Sequence, residues 1–211
     1  MCGRYYIDKE SEEIEPIVEQ MNRSPLADRF VKAGLPLTAF GEITPGSVAP
    51  VIASSKSREK AVFPMRWGFS MKAMPGKSIP RDLINARTET ASRLPTFREE
   101  WKSHRCIIPA SHYFEWEHHV NYRGQKITGQ KYAIQPIGKT CTWLTGLYRI
   151  QDSFPVFVIL TREPSEQIRF IHDRMPLIMP DSMIEQWIDP TSNPDQLLEY
   201  AITDMYYEKA V

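Results

Sequence analysis

The sequence predicts an α+β domain with a mixed, barrel-like β core and peripheral helices. Short β-rich runs crowd its middle, helical patterns lie around them, and no regular strand–helix alternation of the doubly wound kind is present. Residues 10–22 carry Ile14, Ile17, Val18 and Met21 at helical spacing, a pattern that Pro16 permits only from the first turn. Residues 24–60, rich in Pro, Gly and Ser, read as irregular loops with a strand near Val51. Strands are expected at 61–69, 105–109, 112–117, 131–137, 141–150 and 154–161, with polar residues 118–130 as a hairpin loop. Helices are expected at 96–103, 165–171, 181–188 and 193–202. The last opens on Asn193-Pro194, a capping residue followed by proline at the first helical position. No repeat or linker divides the chain, so residues 1–211 read as one domain.

Five Trp, nine Tyr and nine Phe, within a hydrophobic share of 42%, supply enough apolar material for a buried core and argue against disorder. Lys+Arg and Asp+Glu both number 26, so any nucleic-acid binding must come from a local cluster. Three cysteines, an odd number without regular spacing, point to a reducing compartment and not to a disulfide framework. The N-terminus is charged where a signal peptide is apolar, and the apolar run 155–160 is too short to span a bilayer. The expected location is cytoplasmic, nucleoid-associated when bound to DNA, with no membrane partner.

Four places could carry chemistry. If Met1 is removed, Cys2 presents a free α-amine beside a thiol. Such an amine, with a pKa of about 7.7–8.0, is partly neutral at neutral pH and attacks aldehydes. The thiol of the same residue can then close a five-membered thiazolidine. Asn85, in the run Asn85 to Thr90, offers donor and acceptor, and Arg87 can grip a phosphate. Glu115, within Tyr113-Phe114-Glu115-Trp116-Glu117, should face away from Phe114 and Trp116; a carboxylate among aromatics tends toward a raised pKa. His172, followed by Asp173 and Arg174, can move protons near neutral pH. Taken singly, each also reads as ordinary structure: an incidental second residue, a polar turn, an exposed strand residue, a loop histidine.

Together these blocks resemble the SRAP family of abasic-site processing proteins. The resemblance runs in order through Met1 to Arg4, Thr44-Pro45-Gly46, Arg66-Trp67-Gly68, Leu83 to Thr90, Phe114-Glu115-Trp116 and Ile171 to Pro176. It implies a compact α/β domain with a barrel-like core. It also implies a partner, single-stranded DNA containing abasic sites, to whose opened deoxyribose Cys2 bonds by lyase-like Schiff-base chemistry. Asn85 would hold the N-terminus and the sugar, Glu115 would shuttle protons and assist reversal, and His172 would help open the closed sugar. Arg4, Arg87 and Arg174 would bind phosphates, with Pro45 and Trp67 as further DNA contacts. No cofactor or metal is expected, and the protein is expected to be a monomer.

The chain departs from the family pattern after Gly68, where Phe69 to Pro75 lacks the usual second tryptophan; Met71 or Met74 could replace it as apolar contacts. His112 and Glu42 stand where relatives carry Gly and Asn. Two other readings compete: a thiol peptidase using Cys2 with His172 and Glu115, and a non-covalent single-strand DNA binder. His112, His118, His119 and Cys106 match no zinc spacing, and His118 and His119 read as solvated residues at a loop start.

Overall fold

The structure, a computed structural model, describes residues 2–71, 82–120 and 125–210. In chain order the elements are β1 (Arg4–Ile7), α1 (Glu15–Asn22), α2 (Pro25–Lys32), β2 (Gly41–Ile43), β3 (Val48–Ser54), β4 (Lys60–Trp67), β5 (Asn85–Arg87), α3 (Thr88–Ala91), α4 (Arg98–Ser103) and β6 (Arg105–Ala110). There follow β7 (His112–Val120), β8 (Lys126–Pro136), β9 (Thr142–Gln151), β10 (Phe154–Arg162), β11 (Met175–Pro176), α5 (Ile184–Ile188), α6 (Pro194–Leu197) and β12 (Met205–Lys209).

The expected α+β architecture is present. Strand β10 pairs β4, β4 pairs β3, β3 pairs β6, β6 pairs β9, and β9 returns to β10, so five strands close on themselves. Closure pairs both edges of these five strands, and their two faces contribute Ile107, Ile108, Leu144, Leu147, Val156 and Val158 to the buried core of the molecule. Adjacent strands approach closely at Gly146 on β9: a Cβ there would strike the Val158 carbonyl of the paired β10 at 2.5 Å, so only glycine fits. Along β10, partners change. β4 pairs in parallel with Val156 and Phe157, and β5 takes over from Ile159 to Thr161. This handover sets Asn85 at one end of the barrel.

A second, antiparallel sheet in the order β12-β8-β7-β1-β2 packs against the barrel. Its inner face carries Tyr5, Ile7, Tyr113 and Ile134, all at most 1% exposed. Tyr5 meets Trp67 at 5.4 Å between ring centroids, and Trp67 stacks on Phe157 at 6.0 Å, which ties the two sheets together.

Several local expectations need correction. Pro16 does sit in the first turn of α1. The stretch taken as loop after residue 24 holds α2, whose N-cap Ser24 accepts from Leu26 N–H at 3.3 Å, with Pro25 first in the helix. The expected hairpin loop 118–130 is mostly strand, because β7 runs to Val120 and β8 starts at Lys126. Residues 166–171 form turns in place of a helix. Met74 lies outside the described residues. Among those described, no helix is long and apolar enough to cross a membrane.

Candidate active site

The sheet and the barrel mouth meet at Cys2. Its carbonyl accepts from Asn85 Nδ2 at 2.9 Å, so β5 fixes the backbone just ahead of β1. Cys2 is fully buried, and its thiol lies 3.8 Å from the Arg4 carbonyl. Burial pushes this thiol well above its ordinary pKa, and the nearby Glu115 carboxylate raises it further. The resting sulfur is therefore a neutral thiol.

Strand pairing brings Glu115 to the same place. Arg4 opposes Phe114 and Tyr5 opposes Tyr113, so Glu115 falls on the inner face with Tyr113 and Tyr5, opposite Phe114 and Trp116. The carboxyl is 4% exposed, and burial raises its pKa against the lowering effect of the Trp116 N–H, 3.3 Å from Oε1. Around it the structure leaves buried polar atoms without a hydrogen-bond partner among the described residues: Asn85 Oδ1 and the hydroxyls of Tyr5 and Tyr113. Orphaned groups of this kind cost roughly 1–3 kcal/mol each and point to a ligand that satisfies them. The two tyrosines were not singled out from the sequence. Their signal was period-two alternation, which also describes any core strand.

His172 is 9% exposed and has two neighbours at Nδ1: Arg174 N–H donates to it at 3.0 Å, and Asp173 Oδ1 lies 2.7 Å away. Accepting from Arg174 requires a bare Nδ1; donating to Asp173 requires a protonated one. The site thus offers a partner for either state of the ring. His118, expected in a loop, stands instead on β7 with its ring 4.5 Å from that of His172. Beside it, the register slip between Trp116 and His118 places one extra residue on β8, where the partners Lys131 and Thr128 are three apart.

The expected DNA contacts fare unevenly. Arg87, beside Asn85, is exposed, as is Pro45 in the turn between β2 and β3. Arg4 is 45% exposed in its side chain and paired with Glu42, on the sheet face carrying Phe114, Trp116 and Lys131. Arg174 is committed elsewhere: it grips both Glu89 oxygens at 2.7 and 2.9 Å and the Thr161 carbonyl at 2.6 Å, and its side chain is only 10% exposed. Trp67 requires correction as a DNA contact. It is 0% exposed, its indole N–H donates to Ile84 O at 2.9 Å, and it serves as the joint between sheet and barrel. Of the histidines considered for zinc, His112 stacks on Tyr6 at 5.1 Å, while Cys106 is buried in the barrel wall. Among the described residues no three His, Cys, Asp or Glu are placed to hold a metal.

Comparison with known proteins places these features in a family. The family model for SOS response associated peptidase (SRAP) matches residues 1–210. The chain is 30% identical over 203 residues to the abasic site processing protein YoqW of Bacillus subtilis, covering 93% of this chain and 84% of that one. It is 25% identical over 193 residues to the abasic site processing protein YedK of Escherichia coli, covering 89% and 79%. A crystal structure of a Bacteroides thetaiotaomicron protein shares the fold with a TM-score of 0.68 at 20% identity, over 100% of this chain and 92% of the other. With the match spanning nearly its whole length, this chain belongs to the SRAP family.

Proposed function

We propose that this protein processes abasic sites in single-stranded DNA by bonding covalently to them through Cys2. The observation that carries this reading is the Cys2 carbonyl held by Asn85 at 2.9 Å, with the raised Glu115 carboxyl beside it. Once Met1 is removed, the α-amine starts at the residue so held.

The chemistry divides among the buried groups. His172 Nε2 takes the proton of the anomeric hydroxyl, and Asp173 at Nδ1 stabilises the imidazolium, as an orienting carboxylate does elsewhere. The ring C–O bond breaks and the ring oxygen takes a proton from Glu115, freeing the aldehyde. The amine adds to the carbonyl, water leaves and an imine forms. The thiol then adds across C=N, its sulfur bonding to carbon and its proton passing to nitrogen. A neutral thiol suits this order, because the amine attacks first. The orphaned hydroxyls and Asn85 Oδ1 supply partners for the sugar oxygens. Arg87, and Arg4 after release from Glu42, are placed to meet flanking phosphates.

The family label favours a second reading, a thiol peptidase. Such an enzyme works through a thiolate, whereas burial drives the Cys2 thiol the opposite way. A non-covalent strand binder is the third. Intact mass of the processed protein after mixing with an abasic oligonucleotide separates them. The expected product is the adduct minus one water, lost on N-acetylation and greatly weakened in Cys2→Ser. Peptide cleavage that survives N-acetylation would establish the peptidase. Equal binding of intact and abasic strands without an adduct would establish the binder.

A further inference from the structure

We infer that Arg4 and Lys131 together form a seat for one DNA phosphodiester on the outer face of the sheet, and that Glu42 fills this seat as an internal competitor until a strand displaces it. The inference rests on the part of the proposed function that brings a single DNA strand to the face bearing Arg4, and it adds Lys131 and Glu42 to that contact.

Strands β8, β7, β1 and β2 lie side by side, and their register sets Lys131 opposite Trp116, Arg4 opposite Phe114 and Glu42 opposite Tyr6. Lys131 Nζ lies 3.9 Å from the centroid of the Phe114 ring and 5.6 Å from that of Trp116. The Arg4 guanidinium lies 5.7 Å from the Trp116 ring. The rings thus hold both cations over one aromatic floor, whether or not a carboxylate is present. Glu42 reaches in from the edge strand and bridges them: its Oε1 accepts from Arg4, and its Oε2 accepts from Lys131 at 3.1 Å. One cation on each oxygen also suits a phosphodiester, which presents two non-bridging oxygens. Burial alone would raise the Glu42 carboxyl, but Arg4 and Lys131 hold it below its usual range, so it is an anion at neutral pH. With its side chain 19% exposed, Lys131 has little surface left for a second anion while Glu42 is bound. A phosphate therefore takes Lys131 by replacing the carboxylate. The exchange is cheap, because half-exposed ion pairs are weak and only the Glu42 side chain must turn while its backbone stays paired. Every strand meets this competition, so intact DNA is held loosely and only a covalent bond retains the lesion.

Fluorescence anisotropy of an undamaged oligothymidine at fixed low salt reads the exchange without any covalent step. Glu42→Gln is expected to bind about fivefold more tightly than wild type. Loss of any nearby negative charge would raise affinity by itself, so Lys131→Met, which keeps the apolar stem over the rings, is measured in both backgrounds. In the wild-type background Lys131→Met takes a partner from Glu42 in the free protein and from the phosphate in the complex, and changes affinity by less than about twofold. In the Glu42→Gln background it removes only the phosphate contact, and weakens binding about fivefold. Equal costs in the two backgrounds would mark a general field effect and overturn the exchange. No cost in either would show that Lys131 meets no phosphate and overturn the seat. Unchanged affinity in Glu42→Gln, or no binding by any of the four proteins, overturns the inference as well. Thermal melts of all four separate a lost contact from a lost fold. The covalent reading is judged apart, by intact mass on an abasic strand: a wild-type protein that forms no adduct sinks that reading, while unequal costs in the cycle still support the exchange.

Discussion

Glu115, a proton shuttle in the proposed mechanism, also bears on stability. Burial holds its pKa above the ordinary carboxylate value, so between the unfolded and folded values the native state keeps a proton that the unfolded chain has lost. The native state then binds more protons, and stability falls as pH rises through that window. Glu115→Gln removes the effect: its melting temperature is expected to gain on wild type more at pH 8 than at pH 4. The same variant should form and release the DNA adduct more slowly, and unchanged rates would take Glu115 out of the mechanism. Tyr113→Phe deletes an orphaned buried hydroxyl, and is expected to stabilise the free protein by about 1 kcal/mol in denaturant titration while slowing adduct formation. Cys2, Asn85 and Glu115 stand out in the sequence only as a set, through the family resemblance, and the structure brings Asn85 onto the Cys2 carbonyl with Glu115 close by. Trp67 misled because a motif was read without its strand: Met65, Trp67 and Phe69 alternate and all point into the core. His118 was hidden by the polarity of 118–130, which reads as loop where β7 in fact continues to Val120.

Short elements are held here by arginines. Arg105, first in β6 and 1% exposed, donates to the carbonyls of Trp101 at 2.9 Å, Lys102 at 2.5 Å and Trp187 at 2.8 Å, and also to that of Asp189. It satisfies the open C-terminal ends of α4 and α5, helices too short to persist alone. Arg105→Met leaves these carbonyls buried without donors and is expected to cost about 3 kcal/mol or more in denaturant unfolding. Arg174 does the same for the segment bearing His172, clamping it to Glu89 on α3; burial alone would raise the Glu89 carboxyl, but Arg174 holds it below its usual range. Glu89→Gln keeps the shape and loosens the clamp. The adduct-forming rate is expected to drop about tenfold with a melting temperature lowered by only a few degrees. At this scale, legibility depended on context. Asn193-Pro194 was recognised as a helix start, whereas the equivalent Ser24-Pro25 was lost in a stretch whose composition suggested loops. The edge strand β12 was missed because only Met205 of its five residues is buried, which leaves almost no alternation to see.

Across the whole molecule, a net charge of zero leaves DNA affinity to a few side chains. Arg4→Ala with Arg87→Ala is expected to lower the slope of log affinity against log salt by about 1.4, at roughly 0.7 per phosphate contact on a single strand. An acidic cleft of about 470 Å³, lined in part by Asp8, Glu10, Glu12 and Glu13, lies past the far end of β1 from Cys2. The register of β1 has a consequence in time as well. Tyr5 pairs with Ile43 and with Tyr113, and Cys2 is tied to Asn85, so the head of the chain has no complete berth until the ribosome has released more than half of the polypeptide. At about 5–20 residues per second, that leaves several seconds or more in which the nascent amino terminus stays open to trimming enzymes before the fold seals it in.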